Sequence, residues 1–446
     1  MLTPVHVERA RPCNNPSMTG IGADTLGIYV SIPFCRSKCT YCNFASGVYP
    51  AADHERYVQR VIDDMTAAPM WAAEIEADLP RRVDTVYLGG GTPSLLAPDL
   101  LLKLFAALRA QFQVDTDAEI TVECAPGQLA HATPDALAEA GVNRVSLGVQ
   151  SFVDDEAHAS GRLHDRATVE NDLLRLRAAG ITNLNVDLIA GLAGQTLASW
   201  EESLEALIRS GVGHASVYML EVDEDSRLGT ELLAGGSRYH AHFVPDNDRT
   251  ADLYLAACER LARGGVQQYE ISNFARPVTH GIGLRDSKHN LKYWTRQPYL
   301  GFGVDAHSML VAGDDLHATG VEAVRFATPD SLEGYSAANG VAARAEQLLA
   351  SRTLVNAQAA LEESFFLGLR LNRGVSLTAL KAQFGDQAIG SCSAVIAELT
   401  QDGLLEEASE RLRLTSRGRL LSNEVFARFL REQTIHHRDT EAQRSS

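Results

Sequence analysis

No stretch of this 446-residue sequence is apolar for long enough to cross a bilayer. Its opening, MLTPVHVERARPCNNPSMTGIG, lacks the hydrophobic segment of a secretory leader. Both absences lead to the expectation of a cytoplasmic protein, at most peripherally associated with a membrane. Basic residues are in short supply: 40 Lys and Arg against 57 Asp and Glu leave a formal charge of −17. That charge repels a nucleic-acid backbone unless some patch is locally basic, and no nucleic-acid partner is expected. Cysteine is scarce too, and seven residues make no disulfide framework in a chain of this size. In a reducing compartment, clustered cysteines read as metal ligands or reactive thiols. There is no internal repeat. What remains, 45% hydrophobic and 22% charged residues, is ordinary for a globular protein with a large core and more than one domain.

The first two-thirds alternates β-branched apolar runs with amphipathic helical patterns. Candidate strands are GIYVSIP, DTVYLGG, AEITVEC, VNRVSLGVQ, ITNLNVDLIAG and GHASVYML. Helical stretches such as ADHERYVQRVIDDMTAA and PDLLLKLFAALRAQF lie between them, and TPDALAEAG opens with a Thr cap followed by Pro. Six β-then-α units predict a parallel sheet with helices outside, two short of a closed barrel. The expected fold is therefore α/β, a partial (β/α)6 barrel over residues 27–265 with its chemistry at the carboxyl ends of the strands. Residues 1–26 form an N-terminal extension. From 266 to 355 the alternation weakens through QQYEISNFA (a strand), the loop RPVTHGIGLRDSK, HNLKYW, YLGFGVDAHSML and an Ala-rich helical stretch. Three short helices, the hairpin-like GLLEEASERLRLT and a final helix SRGRLLSNEVFARFL then predict a winged-helix-like module over 356–432. Nine acidic residues nearly balance eight basic ones from 361 to 430, so the module reads as a lid or docking element rather than a DNA reader. The tail, 433–446, is poor in apolar residues and is expected to be disordered.

Three cysteines, Cys35, Cys39 and Cys42, stand together in FCRSKCTYCNF with the spacing C-x3-C-x2-C. Structural zinc needs a fourth Cys or His, and none occurs between Phe44 and Ala52; His54 opens a helix-like stretch. CRSKCTYC is too polar for a core, whereas Cys13, Cys124, Cys258 and Cys392 read as small buried hydrophobes. An iron–sulfur cluster normally takes four thiolates, so three leave one iron open to another ligand. The remaining strand ends carry polar or backbone-exposing residues: Gly89 to Gly91 in YLGGGTPSLL, Glu123 in TVECAPG, Gln150 after SLGV, Arg162 in GRLH and Asp187 in NVDLIAG. Each alone suits a turn, a cap or a surface position. Aimed at one rim, they form a candidate ligand site.

In these features the chain resembles the radical S-adenosylmethionine (SAM) superfamily, with Tyr41 as the aromatic residue before the third cysteine. The resemblance implies a [4Fe–4S] cluster whose open iron takes the amino and carboxylate groups of SAM, and reductive cleavage of SAM to a 5′-deoxyadenosyl radical. YVSIPFCRSKCTYCNF, YLGGGTPSLL, RVSLGVQSF and NVDLIAGLAGQT are similar to the oxygen-independent coproporphyrinogen III oxidase group, over roughly Gly27 to Leu430. By motif position, Tyr29, Gly90 and Glu123 carry the cluster-bound SAM. Gly91, Thr92, Gln150, Arg162 and Asp187 line the neighbouring ligand space, which in the oxidases holds a second SAM.

Two features favour a haem-binding branch of that group, the HemW type. Phe44 stands where the oxidases have a fourth cysteine, and HNLKYW with YLGFGVDAHS resembles that branch. There the His of H-N-x-x-Y-W, here His289, is a proposed haem ligand; neutral imidazole is a standard axial ligand. Tyr293 and Trp294 suit packing on a porphyrin face. A loop-anchoring His289 is the plain alternative, His307 is a second candidate ligand, and Asp305 sits where a small residue is expected. The implied function is a haem chaperone that passes haem to apo-haemoproteins, including membrane proteins of the respiratory chain, with cluster and SAM supporting a homodimer or transfer. The alternative is coproporphyrinogen III dehydrogenase, in which the radical abstracts a propionate β-hydrogen and decarboxylation leaves a vinyl group. Phe44 argues against it.

Overall fold

The computed structural model describes residues 24–278, 283–338 and 340–430. Residues 1–23 with Cys13, residues 279–282 of the expected glycine-containing loop, and the 433–446 tail lie outside the described residues. Six strands run parallel in chain order: β1 (Leu26–Ile32), β2 (Arg82–Gly90), β3 (Gln113–Cys124), β4 (Arg144–Gln150), β5 (Asn183–Ala190) and β6 (His214–Met219). Helices such as Ala51–Glu74, Pro98–Gln111 and Leu197–Ser210 provide the crossovers, giving the expected α/β partial barrel.

The reason these segments curve around a lumen lies in their alternation, because side chains on a strand point to opposite faces in turn. One face is apolar throughout: Ile28, Val30, Val86, Leu88, Ile120, Val122, Val145, Leu147, Val186, Leu188, Ala215 and Val217 are buried in the main core. The other face carries Tyr29, Ser31, Thr85, Tyr87, Glu119, Thr121, Glu123, Arg144, Ser146, Asn185, Asp187, His214 and Ser216, which pair largely among themselves. Asn185 donates to Ser146 and Asp187 at 2.6 and 2.7 Å, His214 bonds Asn185 at 2.6 Å, and Tyr87 donates to Glu123 at 2.8 Å. A polar face survives burial only when satisfied in this way.

The sheet is wider than six strands. β7 (Asn273–Ala275) pairs antiparallel with β6 on one edge. On the other edge β8 (Tyr299–Phe302) runs parallel to β1, and β9 (His307–Ala312), β10 (Val321–Ala327) and β11 (Thr353–Asn356) follow antiparallel. QQYEISNFA is not one strand. Glu270 accepts from the Ser272 backbone N–H and the Asn273 amide, folding the segment into a hairpin between Gln267–Gln268 and β7. The Ala-rich stretch likewise ends earlier than its helical pattern suggests, with helix Gly340–Ala350 giving way to β11. Thr133 is the first helical residue of its segment, not the cap, and is fully buried.

From Ala357 onward, helices Ala357–Gly368, Leu377–Phe384 and Ser393–Gln401 pack on a hairpin, Leu405–Ala408 with Arg411–Leu414. Ser409 and Glu410 turn the hairpin at positive φ. The expected last helix is broken at Leu421 into Ser416–Leu420 and Ser422–Ala427. This part has its own core around Phe365, Leu399, Leu412 and Val425, which Ile271 of the barrel-side hairpin joins.

Candidate cluster and ligand site

The three cysteines occupy the loop that leaves β1, and backbone bonds shape it. Cys35 N–H donates to Gly47 O at 2.8 Å, Gly47 N–H to Pro33 O at 2.8 Å, and Thr40 N–H to Ser160 O at 3.1 Å. The loop is thereby closed on itself and tied to the segment after β4. Cys35, Cys39 and Cys42 line one cavity of about 510 Å³ together with Gly90, Gly91, Thr92, Glu123, Gln150, Arg162 and Asp187. Burial pushes the Cys35 thiol up, hydrogen bonds from Ser46 and Thr92 oppose it, and the charges of Cys42 and Cys39 add to it. Among the described residues no three His, Cys, Asp or Glu side chains converge tightly enough for a single ion. A cubane takes each thiolate on a different iron, so three thiols lining one cavity are the donor set it would use.

Backbone conformation opens the space beside them. Gly90 has φ +100°, and a Cβ there would come within 2.9 Å of Ser31 Oγ. A Cβ on Gly91 would lie 2.7 Å from Phe34 O and 3.0 Å from Cys35 Sγ. Gln150 is the informative exception, a non-glycine residue at φ +71° where the β4–β5 register shifts. That conformation costs on the order of 1–2 kcal/mol. Its side chain is buried and its Oε1 has no hydrogen-bond partner among the described residues. A strained residue with an orphaned buried acceptor in the wall of a cavity is a candidate ligand-binding feature.

Charge in this cavity is arranged by the lumen. Burial raises the Glu123 carboxyl to about 7; the Tyr87 hydroxyl and the Gly90 N–H work against the shift, and Asp187 adds to it. Burial also raises Asp187, against hydrogen bonds from Ser216, Ser146 and Asn185. For Arg162, burial would lower the pKa, but Tyr41, Cys39 and Asp187 outweigh it and keep the guanidinium charged; its Nη2 donates to Tyr41 OH at 3.2 Å. The cavity thus offers two carboxyl groups, one fixed cation and open backbone edges, a set suited to a zwitterionic ligand with hydroxyls.

A second cavity of about 500 Å³ lies beside the first, and both are lined by Gly90 and Phe44. Its walls include Tyr29, Tyr293, Trp294, Tyr299, Asp305, His307, Met309 and Arg325. Tyr29 lines this space, beside the shared Gly90. Phe44 is 62% exposed. Asp305 stands where a small residue is expected because its φ is +55°, in the left-handed region that Asp tolerates better than most residues.

His289 lines neither cavity. It is buried on helix Lys288–Trp294, with Nδ1 2.9 Å from Thr85 Oγ1 and Nε2 2.7 Å from Tyr293 OH. Burial, then Lys292 and Arg144, lower its pKa to about 3, so the ring is neutral. A Cβ on Gly27 would come within 3.4 Å of its Cε1, which puts His289 at the amino end of β1. Ile32, at the cysteine end of that strand, is roughly 16 Å further along at ~3.3 Å per residue. With both ring nitrogens engaged, His289 has no lone pair facing open space, and HNLKYW contributes Tyr293 and Trp294 to the second cavity while its histidine plugs the lumen. The pattern reading also missed Tyr87, which orients Glu123, and Arg325 and Met309. Nothing in the local pattern marks them; their position comes from which strands pair.

A model of the radical SAM superfamily matches residues 29–207, and one of the HemN C-terminal domain matches residues 355–421. Heme chaperone HemW of Bacillus subtilis (strain 168) is 32% identical over 407 residues, covering 91% of this chain and 99% of the relative. Heme chaperone HemW of Mycobacterium tuberculosis (strain ATCC 25618 / H37Rv) is 31% identical, covering 95% and 100%. The solved structure of coproporphyrinogen III oxidase (HemN) from Escherichia coli, a radical SAM enzyme, superposes with a TM-score of 0.74 at 23% identity over 93% of this chain and 92% of that one. That likeness is one of fold.

Proposed function

Since the chain belongs to the HemW family of radical SAM proteins, we propose that it is a haem chaperone, holding a cubane cluster on Cys35, Cys39 and Cys42 and haem in a separate chamber. The observation that carries this reading is the pair of cavities sharing Gly90 and Phe44, one ringed by thiols and polar strand ends, the other by aromatic side chains. When bound, the cluster supplies a one-electron donor and an open iron that takes SAM. The chain's part is to seat the ligand. Gly90 and Gly91 let backbone approach it, Glu123 and Asp187 accept from its amino and hydroxyl groups, Gln150 and Thr92 add neutral polar contacts, and Arg162 takes a carboxylate.

The Phe44 side chain at the cysteine-loop mouth supplies no thiol, which sets this chain apart from the oxidase reading. The same proposal extends to delivery to apo-haemoproteins, some of them in the respiratory membrane, to a homodimer and to a cytoplasmic location. The domain plan we propose is a barrel over 27–265, an extension over 266–355 and a docking module over 356–432. The test begins with anaerobic reconstitution. Each Cys→Ala change should abolish the brown chromophore while a Soret titration with haem still saturates at micromolar concentrations. A full four-iron cluster in any of the three variants sinks the ligand assignment. No saturable haem binding, together with protoporphyrinogen formed from coproporphyrinogen, SAM and reductant, would establish the oxidase reading instead.

A further inference from the structure

We infer that the second cavity is the haem chamber and that His307 is the axial ligand to the iron, with Asp305 orienting its imidazole and Arg325 receiving a propionate. This rests on the haem-binding reading above and departs from the motif histidine. Among the described residues lining the cavity, His307 carries the sole imidazole, and its side chain is 71% exposed. Its strand, β9, places it at the rim, opposite Ala327 of β10. The Asp305 carboxylate lies 3.7 Å from His307 Nε2. An exposed pair at that distance adds little to stability. The separation is longer than a hydrogen bond, but it leaves the carboxylate beside the ring, where closing the gap would fix the imidazole and make its other nitrogen a better metal ligand.

The walls match a flat anionic ring. Tyr293 and Tyr299 meet edge to face at 4.6 Å, and Trp294 and Met309 add apolar surface. Two residues of the lining carry a buried donor without a partner among the described residues, Trp294 Nε1 and Arg325 Nε. Arg325 spends one Nη on Glu363 at 3.0 Å and is about a third exposed, so a carboxylate can reach it from the cavity. Tyr293 is held from behind by His289, which makes the motif histidine a positioning residue for this wall.

The experiment is an anaerobic haem titration followed by Soret absorbance on the full chain, with His307→Ala, Asp305→Asn and His289→Gln beside the parent. His307→Ala changes a surface side chain, and circular dichroism controls for folding. It should shift the Soret maximum and weaken binding at least ~10-fold, and added free imidazole should restore the band. Asp305→Asn should keep the band position and weaken binding roughly 10-fold. His289→Gln, which loosens Tyr293 in the wall, should weaken binding while leaving the band at the parent position. If His307→Ala keeps both band and affinity, or loses them without imidazole rescue, the assignment to His307 is overturned. If the parent itself fails to bind, it is the haem reading that fails.

Discussion

At the scale of single residues, the site depends on a few side chains held against their ordinary chemistry. Glu123 is the clearest. With its carboxyl raised to about 7, Glu123 is partly protonated at neutral pH, and only the ionised form accepts from an amino group with both oxygens and attracts a sulfonium cation. SAM affinity should therefore rise between pH 6 and pH 8 and level off above, by up to about tenfold per unit on the acid side. Calorimetric titration across that range would show it, and Glu123→Gln should bind more weakly with this component of the slope gone. An equally steep slope in the variant would assign the effect to another group. That the cysteines, Glu123, Gln150 and Asp187 meet in one cavity was legible because each sits in a short motif at a strand end. The surroundings of His289 were not legible: its motif is local, but its partners are Thr85, far away in sequence, and Tyr293 on its own helix.

Elements explain why those residues meet. The barrel strands were readable as apolar runs, yet the polar side chains interleaved with them make the lumen, and their meaning appears only once neighbouring strands are in register. QQYEISNFA misled because a buried carboxylate folds the backbone back, something no β-propensity reveals. The β2 carboxyl end is the element most exposed to substitution. Gly90→Val forces a β-branched residue to φ +100° and a Cβ against Ser31, at a cost of about 1–3 kcal/mol. Equilibrium dialysis should find SAM affinity reduced at least ~10-fold with the cluster retained. Unchanged affinity would mean that this turn does not touch the ligand.

The whole molecule has a main core and a C-terminal core, and its seam is built on charge. Glu363 of helix Ala357–Gly368 pairs with Arg296 at 2.8 Å and with Arg325 of β10 at 3.0 Å, and both Glu363 and Arg296 are buried. Removing one partner of a buried pair leaves the others uncompensated, at about 3–5 kcal/mol. Glu363→Gln should lower the urea midpoint clearly, and the loss should appear first in a probe on the C-terminal module. A midpoint unchanged to within about 1 kcal/mol would assign the seam to apolar packing alone.

Phe44 gives the two chambers a common wall. Under the proposed function, an occupant of one cavity that moves this wall makes the two affinities conjugate. Any cargo that displaces the cysteine loop alters how tightly the cofactor side is held, and the cofactor must alter cargo affinity by the same factor in return. On that reading, loading and release would be driven from either side through the loop that carries Phe44.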